Sequence, residues 1–132
     1  MTYVADTHYL LWSLVSPGRI SEAHTGILED PEHVKYVSAV SFWEISLKYA
    51  LGKLSIEGAE PAALPAASIR AGFDVLPISA DDFATSYQLQ SLGLHRDPFD
   101  RMLVWQCMRH GFALLTADTD LRQYEQIGLQ IG

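Results

Sequence analysis

Five carboxylates, Asp6, Glu44, Asp97, Asp100 and Asp118, are the side chains of this sequence best placed to do chemistry. They are well separated along the chain, in the stretches VADT, SFWE, HRDPFD and TADTD, each beside an apolar run. An oxygen-only donor set of this kind suits Mg²⁺ or Mn²⁺, which prefer carboxylates and retained waters to Cys and His. Carboxylates held close repel one another, and a cation among them removes that cost. Each acid also has a local explanation. Asp6 before Thr7 can open a helix, and Glu44 stands three after Ser41, the form of a capping box. Asp97 with Pro98 reads as an N-cap followed by proline at the first helical position. That puts Asp100 in the first turn, where the macrodipole favours an anion. Asp118 fits the turn ADTD, and Asp120 reads as a solvated turn residue.

Other chemistries lack their residues. His8 and His95 lie two positions from Asp6 and Asp97, but the spacing matches no His or Cys zinc motif, so both read as surface groups or as neighbours of the acids. There is no nucleophile elbow, no Gly-rich phosphate loop and no Cys and His pair. A hydrolase built on this sequence needs metal-activated water. Cys107 is the single cysteine, so no internal disulfide forms and a cytoplasmic, reducing location is expected. The net charge of -7 argues against a general electrostatic affinity for nucleic acid, although a nuclease whose cations are bound metals escapes that objection. No apolar run approaches a membrane span and no basic leader is present, so the chain reads as soluble, with no membrane partner.

The elements that must position the acids follow from hydrophobic patterning. Short apolar runs without strict alternation predict buried parallel strands at 3–5, 34–38, 74–78 and 112–116, with a short one at 129–131. Helical patterns fill 8–15, 21–30, 42–51, 61–71, 80–91 and 98–110. Ser79 with Asp82 has capping-box form, Gly52, Gly72 and Gly111 stand where C-cap glycines belong, and GLHR at 93–96 reads as a turn. The fold class is α/β, a single domain over 1–132: a three-layer α/β/α sandwich with a mostly parallel central sheet. In such sheets ligands bind beyond the carboxyl ends of the strands. All the acids map to that edge, where independent capping would scatter them over both.

The stretches YVADTHYLLW, VSAVSFWEISLKYALGKL, HRDPFDRMLVWQCMRHG and LLTADTDLRQY resemble, in order and along essentially the whole chain, the signatures of a PIN domain, in particular the toxin subunit of VapBC-type toxin-antitoxin pairs. The resemblance implies a Mg²⁺-dependent or Mn²⁺-dependent endoribonuclease that cuts single-stranded or looped RNA, often tRNA or rRNA. It carries over Asp6, Glu44, Asp100 and Asp118 as the catalytic, metal-holding acids, with Asp97 as N-cap or second-rank ligand. Thr7, Ser41 and Thr116 are then candidates to hydrogen-bond a ligand carboxylate, a metal-held water or a phosphate oxygen, with local capping as the alternative. Arg96 and Arg101 flank the third acid and could contact RNA phosphates. The competing reading pairs Arg101 with Asp97 and Lys48 with Glu44 at four-residue spacing. Pairing is favoured for Lys48, and Arg96, in a loop, is the better RNA candidate.

The helices HYLLWSLV and SFWEISLKYALGKL are apolar nearly all round, so they are either fully buried or face a partner, with Trp12, Phe42, Trp43 and Tyr49 as candidates. The resemblance implies two partners: a second copy of the chain, giving a homodimer, and a VapB-like antitoxin segment lying across the site. Two other classes compete. A receiver-like phosphoacceptor domain also gathers acids at a sheet rim, but it needs a late lysine, and Lys35, Lys48 and Lys53 all lie early. A catalytically inactive PIN-like binding module would not need all four acids. Asp97 is expected mainly to start its helix and Asp100 mainly to hold the ion. Mg²⁺ titration should therefore show a larger loss of affinity for Asp100→Asn than for Asp97→Asn, and equal losses would overturn that division.

Overall fold

Apolar residues on both faces of each short strand require a covered sheet, and the computed structural model, which describes residues 1–93 and 95–132, supplies the covering helices. The turn expected at 93–96 includes Leu94, which lies outside the described residues. The strands are β1 (Thr2–Ala5), β2 (Val34–Ser38), β3 (Asp74–Leu76), β4 (Ala113–Leu115) and β5 (Gln130–Ile131). All pair in parallel in the order β3-β2-β1-β4-β5, with Ala5 level with Val37 on one side and Leu115 on the other. The chain steps outward from β1 to β3 and then crosses back to β4, so the sheet reverses direction between β1 and β4, where open α/β sheets bind their ligands. A receiver-like domain has the order 2-1-3-4-5, and this sheet does not.

The helices are α1 (Thr7–Val15), α2 (Glu22–Glu29), α3 (Ala39–Ala50), α4 (Leu64–Arg70), α5 (Ala80–Thr85), α6 (Pro98–His110) and α7 (Thr119–Arg122). Period-two alternation sends Tyr3, Ala5, Ala113 and Leu115 to a core shared with Tyr9, Leu10, Ile45 and Leu64. It sends Val4 and Leu114 to the opposite core, with Leu103, Val104, Cys107, Leu121 and Tyr124. Cys107 is fully buried there, and burial pushes its thiol above the usual range. The three-layer expectation holds.

Several boundaries move for local reasons. The predicted cap at Ser41 is wrong: Ser38 accepts the Val40 N–H at 3.2 Å, so β2 runs straight into α3. Ser41 is then fully buried inside the helix, and Glu44 lies a turn deeper than a capping box allows. The 61–71 helix starts at Leu64 because Pro65 has no N–H to give the Pro61 carbonyl. The 80–91 helix stops at Thr85, where Thr85 and Ser86 hydroxyls bond back to the Asp81 and Phe83 carbonyls and a short 3-10 turn follows. β3 ends before Pro77, and α7 was not expected at all. The Ser79–Asp82 capping box forms, and Gly52, Gly72 and Gly111 adopt positive φ past their helices.

The outer face of α3 stays uncovered, with Trp43 59% exposed and Leu47, Tyr49 and Leu51 also exposed, while Trp12 and Phe42 pack against the core. Among the described residues no helix is long and apolar enough to cross a membrane. One buried polar bridge ties the layers: Gln106 of α6 accepts the Ser38 hydroxyl at 2.7 Å and donates to the Pro77 carbonyl at 2.9 Å. Gln106→Met keeps the volume but strands both partners, and denaturant unfolding should show a loss of about 2–4 kcal/mol. A loss under about 0.5 kcal/mol would mean that water replaces the bridge.

Candidate active site

Asp6 directly follows β1, and its N–H continues the ladder by donating to the Leu115 carbonyl at 3.0 Å. Its carboxylate is held at both oxygens. Oδ1 accepts the Tyr9 N–H at 2.8 Å, capping α1, and Oδ2 accepts the Thr116 hydroxyl at 2.5 Å. Thr116 directly follows β4, and its oxygen also accepts the Asp118 N–H at 2.9 Å. Asp118 in turn caps α7 through the Asp120 N–H at 2.8 Å. Asp97 caps α6, accepting the Asp100 N–H at 2.9 Å. Glu44 is buried on α3, where Oε1 accepts the Thr7 hydroxyl at 2.8 Å, Ser41 Oγ lies 2.9 Å from that hydroxyl, and Oε2 is paired with Lys48.

These elements converge. One cavity of about 210 Å³ is lined by Asp6, Glu44, Asp97, Asp100 and Asp118, together with Thr7, His8, Lys48 and Leu121. A smaller, more apolar cavity of about 140 Å³ near Ile20, Lys35 and Phe73 contains none of them. Within the acidic cavity the carboxyls crowd one another. Burial foremost, then Asp118, holds Asp6 above the ordinary carboxylate range, against the Thr116 and Tyr9 hydrogen bonds and His8. Asp100 is pushed up to about 6, by burial first and by the Asp97 and Glu44 charges next, with His95 opposing. Burial works against the Lys48 ammonium, yet Glu44, Asp97 and Asp100 hold it above its usual value.

The donor chemistry fits a hard divalent cation: carboxylate oxygens, partly desolvated, of which Asp6 and Asp100 hold their protons more tightly through burial first and neighbouring carboxylates next. Among the described residues no three acidic, His or Cys side chains close around a single point. Mg²⁺ does not require that, since it keeps several waters and takes one or two carboxylates plus substrate oxygens.

Of the remaining candidates, Arg96 is exposed and lines a neighbouring cavity of about 420 Å³ with His95, Asp97, Asp120 and Gln123. Arg101 is not paired with Asp97 and does not line the acidic cavity. Its guanidinium turns inward to the Leu89 carbonyl at 2.9 Å and the Tyr124 hydroxyl at 3.2 Å. That correction has a physical reason: two fixed acceptors in the protein outweigh a solvated i, i+4 pair. His95 proves to be a neighbour of an acid. Its Nδ1 lies 2.7 Å from the Tyr124 hydroxyl and its Nε2 3.5 Å from Asp100 Oδ2. Sequence patterning does not mark Tyr124, which sits in a short 3-10 segment.

Fold and site together define a class: a parallel α/β/α domain that gathers its acids where the sheet reverses. The chain belongs to the PIN domain family, whose model matches residues 3–127. PIN domains are generally nucleases. Solved structures share the fold. VapBC2 from Rickettsia felis, bound to a DNA fragment from its promoter, aligns with TM-score 0.65 at 12% identity over 100% of this chain and 98% of that one. VapBC-1 from nontypeable Haemophilus influenzae gives 0.60 at 17% identity over 100% and 97%. FitAB bound to the IR36 DNA fragment gives 0.62 at 19% identity over 98% and 93%. No curated protein sequence matches the chain significantly.

The raised Asp100 pKa has a defined sign. The folded protein holds that proton more tightly than the unfolded chain, so its stabilising contribution is complete below the ordinary value of 3.8 and is lost as pH rises through about 6. At about 1.4 kcal/mol per pH unit, metal-free wild type should lose roughly 2 kcal/mol relative to Asp100→Asn between about pH 4 and pH 7. Denaturant titrations of both proteins in EDTA check this, and a constant difference across that range would exclude the shift.

Proposed function

We propose that this chain is a single-domain, Mg²⁺-dependent or Mn²⁺-dependent endoribonuclease that cleaves single-stranded or looped RNA, tRNA or rRNA in particular, as the toxin of a toxin-antitoxin pair. What carries the reading is the convergence of Asp6, Glu44, Asp100 and Asp118, from four separate segments, on one partly buried cavity at the sheet's reversal point. Membership of a nuclease family supports it. Asp6, Glu44, Asp100 and Asp118 would hold the cation, with Asp97 behind Asp100. When bound, the cation supplies Lewis acidity that activates water and offsets charge on the phosphoryl oxygens.

The chain's own residues set the geometry. Thr116 and the Tyr9 N–H fix Asp6 at both oxygens, and Thr7 and Lys48 do the same for Glu44, so neither carboxylate has to be ordered on binding. Asp97 spends one oxygen on its helix start and remains a weaker candidate ligand. The exposed Trp43, Leu47, Tyr49 and Leu51 on α3 support a protein partner, either a second copy in a homodimer or a VapB-like antitoxin segment. A buried lone thiol suits the cytoplasm. A non-catalytic binding module is the second reading, favoured by the absence of a closed three-ligand cluster among the described residues.

Incubating a total tRNA and rRNA pool with the partner-free protein in Mg²⁺ or Mn²⁺ should give discrete cuts that EDTA and Asp6→Asn abolish. Thr116→Val, which removes the support of the Asp6 carboxylate and of the Asp118 backbone, should slow cleavage about 10–100-fold. Metal-independent RNA binding with no cuts would select the binding module.

A further inference from the structure

An acidic chain that must hold a polyanion over five carboxylates needs cations beside the cleft, and most of those nearby are already engaged. Lys48 is paired with Glu44, Arg101 is bound to Leu89 and Tyr124, and Arg122 donates to the Thr116 carbonyl at 3.3 Å. Arg19 is different. It is exposed, and among the described residues it has neither a salt bridge nor a side-chain hydrogen bond. Its guanidinium instead sits 4.5 Å over the Trp12 ring. Cation–π seating fixes a guanidinium without consuming its N–H donors.

The mount is firm. Arg19 ends a 3-10 turn, Pro17–Arg19, in which its N–H donates to the Ser16 carbonyl at 3.0 Å. The next residue, Ile20, is buried in the core. Trp12 is partly buried and packs on Tyr9 with ring centroids 5.6 Å apart. Arg19 and Trp12 line a cavity of about 410 Å³ whose other walls are Asp6, His8, Ala117 and Asp118. Asp6, His8 and Asp118 also line the acidic cavity, so the two adjoin.

We infer that Arg19, seated on Trp12 in the cavity it lines with His8, forms a phosphate-binding subsite that takes the backbone phosphate adjoining the one held over the acids in a single-stranded RNA. The inference rests on the nuclease reading. A phosphate, not a base, is the ligand: one face of the Trp12 ring is covered by Arg19, and an unspent guanidinium fork matches phosphate oxygens. Phosphate contacts position a strand without reading its sequence, so the subsite sets where the strand lies and leaves target choice to other residues.

The test measures binding of a short fluorescein-labelled oligouridylate in Ca²⁺ as NaCl is raised, beside cleavage kinetics in Mg²⁺. Arg19→Gln should weaken binding about tenfold and flatten the slope of log affinity against log salt by about 0.7, the value for one phosphate contact on a single strand. The kinetic loss should fall on KM rather than on kcat. Trp12→Leu, checked for an intact fold by thermal melting, should weaken binding in the same direction, because the fork is no longer held. If wild type cleaves RNA while Arg19→Gln keeps its KM and salt slope, the subsite is refuted and the nuclease reading stands. If wild type neither binds nor cleaves RNA, the nuclease reading fails and the subsite falls with it.

Discussion

The Thr116 hydroxyl reaching Asp6 across the sheet's reversal point is the contact on which the rest of the site depends. It exists only because β1 and β4, over a hundred residues apart in sequence, are neighbours in register, with Ala5 beside Leu115. Slipping β4 by one residue would send Thr116 to the opposite face and move Leu114 and Leu115 between cores. Core packing therefore sets the position of the carboxylate. The same hydroxyl fixes the Asp118 backbone, so one threonine couples two acids that no local interaction could bring together.

Capping by Asp6, Asp97 and Asp118 and the gathering of the acids around one cavity are compatible. Asp6, Asp97 and Asp118 each cap a helix through a backbone N–H, and those helices all start at the carboxyl edge of the sheet. Helix N-termini carry partial positive charge, which offsets part of the repulsion among the carboxylates. Burial first, and neighbouring carboxylates next, still hold Asp6 and Asp100 above the ordinary carboxylate range. A fold that begins its helices at one rim thus concentrates acids there at a tolerable cost, and the remainder is available to a cation.

The strand at 34–38 and the helix at 98–110 are legible to the residue, because a β-branched apolar run and an Asp-Pro start leave little choice. So is the convergence of acids, since parallel topology sends every strand end to the same rim. The α3 start is not legible, because Ser38 and Ser41 both look like caps and only the burial of Ser41 decides between them. The inward turn of Arg101 is not legible either, because nothing near it in sequence announces Leu89 and Tyr124 as acceptors. Arg19 went unread for a related reason: its partner is a ring, seven residues back, on an element that reads as core.

Cys107 lies on α6 between the residues that bury its thiol, on the same helix that begins with Asp97 and Asp100. A thiol both inaccessible and held in its protonated form reacts with alkylating reagents only when that layer opens. The chain therefore contains a single-site clock for the opening of the helix that carries two of its acids. Whatever clamps α6 in place, a cation between its first turn and β1 included, will slow that clock.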